Sequence, residues 1–288
     1  DTPINETLVR GQRLLDLYPD LVEGRRDLAV AFQTKVLLHE RRQQWPEAEA
    51  AARQALLHHR QLQSPTASVA ARNSLGLALQ NLSVCLLETQ KYDECLEAAD
   101  EAIRVFDALQ VVQPKNASCF SNCSSAWSNR AAALRRLQRY DEMIESYQKS
   151  LAASQRSVEL EPASRSFRMV HVAHFAQLAS ALALVGRFAE AAKVLEDGED
   201  YASRLRDAAL RLARAAGSCL SEMHKKSPGE RDLPLETMEE LALRLLKRAV
   251  SLGYRDGAAL EKDASFSALR KHPAFQAILA ELGQGPPR

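Results

Sequence analysis

The stretch QKYDECLEAADEAI, residues 90–103, has three counterparts in the same chain: QQWPEAEAAARQAL from Gln43, QRYDEMIESYQKSL from Gln138 and GRFAEAAKVLEDGE from Gly186. The four agree column by column. Trp45, Tyr92, Tyr140 and Phe188 are aromatic. Two residues on stand Glu47, Glu94, Glu142 and Glu190, followed by Ala48, Cys95, Met143 and Ala191, and then, seven further, by the small residues Ala55, Ala102, Ser150 and Gly198. Within the second copy Tyr92, Cys95, Leu96, Ala99, Ala102, Ile103 and Phe106 recur at three- and four-residue steps, which draws one apolar stripe on a helix.

Each copy is preceded by a second helical pattern: Leu75, Leu79, Leu82 and Leu86 before the second, Trp127, Ala131 and Leu134 before the third, Phe175, Leu178, Ala179 and Leu182 before the fourth. A proline introduces each of these upstream helices, at Pro19, Pro65, Pro114 and Pro162. The unit is therefore proline, long helix, tight turn, aromatic, second helix. Two amphipathic helices cannot bury both their stripes alone, whereas stacked pairs can. The expected fold is all-α: a right-handed α-solenoid of about five long-helix pairs closed by a C-terminal helical cap. The aromatic column is expected to be buried, so that Tyr140→Ala costs about 3–5 kcal/mol.

The expected organisation is a remnant of a preceding repeat at 1–20 and four repeats at 21–64, 65–113, 114–161 and 162–200. A degenerate fifth pair follows at 201–256, with residues 224–234 as its long loop, and a cap with a frayed tail, GQGPPR, at 257–288. The missing starting Met and the half-pair at the N-terminus suggest a fragment or a processed chain.

The totals exclude several classes. Formal charge is +1, so nothing global draws the chain to nucleic acid or an anionic membrane. No apolar run approaches the ~18 residues of a membrane span. Five scattered cysteines make a poor disulfide framework and favour a reducing, cytoplasmic compartment, with a membrane-attached parent protein still open. There is no P-loop, GxGxxG, HExxH or GxSxG, and no HRD or DFG of a kinase. No catalytic residue, cofactor or metal is expected. His171 and His174, three apart on a helix, suit either a metal or packing, and no acidic residue stands nearby in sequence to complete a site. His58 and His59 are expected near a helix end, where cations suit the dipole. The recurring glutamates sit near helix starts and are read as structural for the same reason.

The pattern resembles the tetratricopeptide repeat, most clearly in the third copy through Trp127, Ala131, Leu134, Tyr140, Glu142, Tyr147 and Leu151. That family's usual unit is about 34 residues, so the helices here must be longer. Lys35 departs from the pattern where Leu is usual. A narrower resemblance, to repeats attached to bacterial serine/threonine protein kinases, notably of planctomycetes, rests on YPDLVEGRRDLAVAF, on LQSPTASVAARNSLGLALQNL, and on the ending in which Leu245, Ala249, Val250, Tyr254, Asp256, Leu269, Arg270, Pro273 and Phe275 match.

The tetratricopeptide resemblance implies a concave groove lined by the first helix of each pair and a peptide or protein ligand. The register puts Thr34, Asn81, Asn129 and Gln177 in one polar column. It is similar to kinesin light chain repeats, whose asparagines there bond an extended peptide backbone. The alternative is that these amides bond the neighbouring helix. Gln33, Gln80, Ser128 and Ser180 are further groove candidates, with Arg41, Arg135 and Arg136 at its edge. The clamp of Lys and Asn by which chaperone-binding arrays hold a terminal carboxylate is incomplete, since Gln33, Leu37, Gln80 and Val84 occupy its positions. The chain is thus expected to be a non-catalytic interaction module. Alternatives are a regulatory arm of a larger kinase and a self-association module.

Overall fold

The computed structural model describes residues 2–18, 20–64 and 66–283. Pro19, Pro65 and all but the first residue of the GQGPPR tail lie outside them. Every described regular element is helical, and the chain divides into two units, 1–160 and 161–288.

The first unit holds α1 (Thr2–Leu17), α2 (Val22–Arg41), α3 (Trp45–Gln61), α4 (Val69–Glu88), α5 (Tyr92–Val112), α6 (Ala117–Arg136) and α7 (Tyr140–Leu160). The second holds α8 (Arg165–Leu184), α9 (Phe188–Ala202), α10 (Arg206–His224), α11 (Leu235–Ser251), α12 (Gly257–Lys262), a 3-10 turn (Ala264–Leu269) and α13 (Pro273–Gly283). Both are built from helix pairs, joined by tight turns up to α9 and by a longer loop between α10 and α11. Each upstream helix begins three or four residues after its proline. Ser68, Asn116 and Ser164 cap α4, α6 and α8 by accepting from Ala71, Ser118 and Phe167 N–H.

The four aromatics are the first residues of α3, α5, α7 and α9. The turn before each of them contains the residue with which its stretch opens. Gln43, Gln90 and Gln138 have φ of 57°, 63° and 59°, and Gly186 has φ 86°. The next N–H then reaches back five residues: Gln44 to His39 O, Lys91 to Leu86 O, Arg139 to Leu134 O and Arg187 to Leu182 O, all at 2.8–3.0 Å. This is the Schellman closure, which satisfies carbonyls that a helix end leaves unpaired. Glycine adopts that conformation freely, whereas a side chain pays about 1–2 kcal/mol. Gly186→Ala is therefore expected to cost about 1 kcal/mol, although its added Cβ would meet nothing within 4 Å. Gln138→Gly is expected to shift stability the other way. Thermal melts of both variants check this, and a neutral Gly186→Ala would rule out backbone strain at the turn.

Ala48, Cys95, Met143 and Ala191 are all fully buried. The small column works by close approach: a Cβ on Gly198 of α9 would lie 3.0 Å from the Phe175 ring of α8. In α7 the equivalent Ser150 donates its hydroxyl to Ser124 O of α6 at 2.7 Å. Around it runs a buried serine seam, with Ser146, Ser154 and Ser157 on α7 and Ser124 on α6 all at 0% exposure. Most of these hydroxyls bond carbonyls of their own helix.

The aromatic column is less uniform than its sequence. Phe188 is fully buried, while Trp45, Tyr92 and Tyr140 keep part of their rings at the surface. The cost expected above for Tyr140→Ala belongs instead at Phe188. Trp127 also stays partly exposed, under the Lys149 ammonium at 4.7 Å from its ring centre.

In the second unit α10 pairs with α11 across residues 225–234, where Asp232 Oδ1 accepts from Phe188 and Ala189 N–H at the start of α9. Phe266, Leu269, Phe275 and Ile278 bury themselves as a cap, and the Ala264–Leu269 turn lies directly on α10.

Candidate functional site

The first unit places three of the four polar-column residues on successive first helices: Thr34 on α2, Asn81 on α4 and Asn129 on α6. α4 packs on α6, and Cys85 of α4 donates to Glu40 of α2 at 3.9 Å. Burial, then the neighbouring Glu40 and Glu49 carboxylates, pushes that thiol up to about 12.

The column's members differ in what they are free to do. The Asn129 amide donates to Ser83 Oγ of α4 at 2.8 Å, and Ser83 in turn donates to Gln80 O at 2.7 Å. Asn129 is thus a strut between two helices, the alternative its sequence had left open. Asn81 is half-buried, and its side-chain amide has no hydrogen-bond partner among the described residues. Thr34 is exposed, and its hydroxyl is turned back to Val30 O at 2.9 Å. Gln33 and Gln80 are half-buried, and the Gln80 Oε1 is a buried acceptor without a donor. Ser128, a groove candidate by register, is only 7% exposed and packs inward. Arg135 and Arg136 are exposed at the end of α6, and Arg41 at the end of α2.

Gln177 and Ser180 lie on α8, in the second unit. The Gln177 Oε1 accepts from His174 Nδ1 at 2.9 Å, and Ser180 bonds Ala176 O. His174 is buried, which holds its pKa down to about 4 against the opposing bond to Gln177. His171 stands edge-on to the rings of Phe175 and Tyr201, at 4.7 and 4.5 Å. Among the described residues no group of three or more His, Cys, Asp or Glu is placed to hold a metal. All five cysteines are buried thiols.

Two features were not expected. His58 and His59 are buried, not cationic partners of a helix end: burial first, then Arg25 for His58 and His58 for His59, lowers both pKa values. Glu49 is buried with Lys91 Nζ at 2.7 Å, Thr89 Oγ1 at 2.7 Å and Arg53 at 2.8 Å. Burial alone would raise its pKa, but those three donors outweigh it and the net shift is downward. The network ties α3 to the turn before α5. Its signal in the sequence is a lone carboxylate in a column otherwise filled by Leu96, Ile144 and Ala192.

Three of the four recurring glutamates are held in ion pairs. Glu142 and Glu190 form two-pronged pairs with Arg139 and Arg187 at 2.6–2.7 Å, and Glu94 of α5 pairs with Arg53 of α3. None converges with a second catalytic group. Among the described residues no helix is long and apolar enough to cross a membrane.

No curated protein matches the chain. Among solved structures, the crystal structure of BtubC (BKLC) from P. vanneervenii is similar over 100% of this chain and 93% of that chain, at 14% identity and a TM-score of 0.49. Residues 124–157, which run from α6 into α7 and include Asn129, match the family model for the tetratricopeptide repeat.

Proposed function

We propose that this chain is a non-catalytic protein-interaction module that holds an extended peptide segment against the α2, α4 and α6 face of its first unit. The observation that carries the reading is the contrast between two register mates. The Asn129 nitrogen is spent on Ser83, while the half-exposed Asn81 amide keeps both its donor and its acceptor unspent. A peptide backbone offers the complementary pair of groups. The tetratricopeptide match over α6 and α7 supports the same reading, and the five unpaired thiols support a reducing compartment for it.

The test is selection of binders from a random decapeptide library displayed on phage, followed by titration of the synthetic peptides. Asn81→Ala is expected to weaken binding about tenfold, the loss of one or two net hydrogen bonds, with an unchanged melting curve. Failure to select any peptide, or equal affinity for the variant, would overturn the reading.

A second reading is favoured by the C-terminal end. Leu245, Ala249, Leu269 and Phe275, which carry the resemblance to kinase-attached repeats, are all fully buried in the cap and the helix before it. They support a role as the regulatory arm of a longer serine/threonine kinase. A full-length reading frame without a kinase domain would dismiss it.

A further inference from the structure

The α2, α4 and α6 face has a chemistry of its own beside the polar column. On α2, Val30 and Leu37 flank Thr34 four residues before and three after it, and they are 53% and 52% exposed. On α4, Leu77 and Val84 flank Asn81 at the same offsets, both half-buried. On α6, the equivalent flanks of Asn129 are Ser125 and Ala132, which are half-buried as well. Positions i, i+4 and i+7 share one face of a helix, so each triplet is a surface stripe, and the stripes repeat from helix to helix. The face is therefore a polar line between two rows, large and apolar on α2 and α4 and small on α6. None of these nine positions is charged, in a chain where 26% of residues are.

Dimensions favour an extended occupant. Seven helical residues rise about 10 Å, so the two rows lie about 5 Å to either side of the polar line. A strand sends successive side chains to opposite sides and advances about 3.3 Å per residue, so it passes one helix every three residues or so. With its backbone over the polar line, its odd-numbered side chains reach one row and its even-numbered ones the other. A charged side chain laid against Leu37 or Val84 would give up water to an apolar neighbour, and no member of the three triplets carries a charge to receive it. Beside Val30 and Thr34 a cavity of about 390 Å³ opens, large enough for an anchoring side chain; Ile4, Thr7 and Ala31 line it together with Arg26 and Asp27, whose opposite charges leave it without net charge.

We infer that the segment held on this face is uncharged and apolar, with aliphatic or aromatic side chains alternating between the two rows over α2 and α4. The inference rests on the peptide-binding reading above and adds the chemistry of the ligand. The uncharged stripe complements an uncharged segment, and the exposed valine and leucine on α2 are what that segment covers.

The phage-displayed decapeptides again serve as the probe, now scored for composition and titrated against Leu37→Asp and Asn81→Ala separately. Leu37 is more than half exposed, so the substitution leaves the core intact, and a melting curve verifies it. The expected result is peptides rich in Leu, Ile, Val and Phe at alternating positions, weakened at least tenfold by Leu37→Asp. Peptides that depend on Asn81 but are charged, or indifferent to Leu37→Asp, would overturn this inference and leave the groove reading standing. Binding indifferent to Asn81 would remove the groove reading and this inference with it. A dimer seen by light scattering and lost in Leu37→Asp would show that a second copy covers the face, which also overturns the inference.

Discussion

Phe188→Ala is expected to cost about 3–5 kcal/mol of the second unit's stability, the price of deleting a large ring from a site with no room for water. Phe188 is fully buried and opens α9, and its own N–H is held by Asp232 from the loop between α10 and α11. The cavity would thus form where a helix start and a distant loop are joined. Tyr140→Ala removes a ring that already touches solvent, and is expected to cost roughly half as much. Denaturant unfolding of both variants measures the difference. Equal losses would mean that the aromatic column contributes through something other than burial.

Gly217→Ala is the second large effect. A Cβ at this position would lie 2.3 Å from the backbone oxygen of Ser265 and 3.2 Å from the Phe266 ring. Backbone cannot rotate aside as a long side chain can, so α10 and the cap turn must separate. The expected cost is about 1–3 kcal/mol, or more if the cap detaches. Limited proteolysis provides the readout: cleavage within residues 257–283 should accelerate while the helices of the first unit keep their protection. A variant whose cap resists protease as the parent does would show that the close contact relaxes without cost. Comparison with Gly186→Ala separates two uses of glycine, one for a backbone conformation and one for space.

Much of the fold was legible in the chain. Periodicity placed the helices and the aromatic column placed the starts of α3, α5, α7 and α9, because amphipathic spacing is a local property. The left-handed turn was half legible. Gly186 announces it, but Gln43, Gln90 and Gln138 belong to a residue type that rarely adopts positive φ, and only the Schellman bonds show why it does so here. The candidate site was less legible. Asn81 and Asn129 occupy the same register position, and nothing local says that one of them faces Ser83, since that depends on the distance between α4 and α6. Burial of His58 and His59 escaped for the same reason: a helix end is exposed only if no neighbour covers it. Glu49 was visible as an exception in its column, and such exceptions point to contacts between repeats.

The serine seam between α6 and α7 has a thermal consequence. Hydration of hydroxyls and small side chains exposed on unfolding adds little to the heat capacity of unfolding, because polar surface contributes with opposite sign to apolar surface. The pair joined by Ser124, Ser146, Ser150, Ser154 and Ser157 therefore has a flatter dependence of stability on temperature than its leucine-rich neighbour α4. Cooling, which weakens apolar burial, takes less from this pair than from α4 and α5.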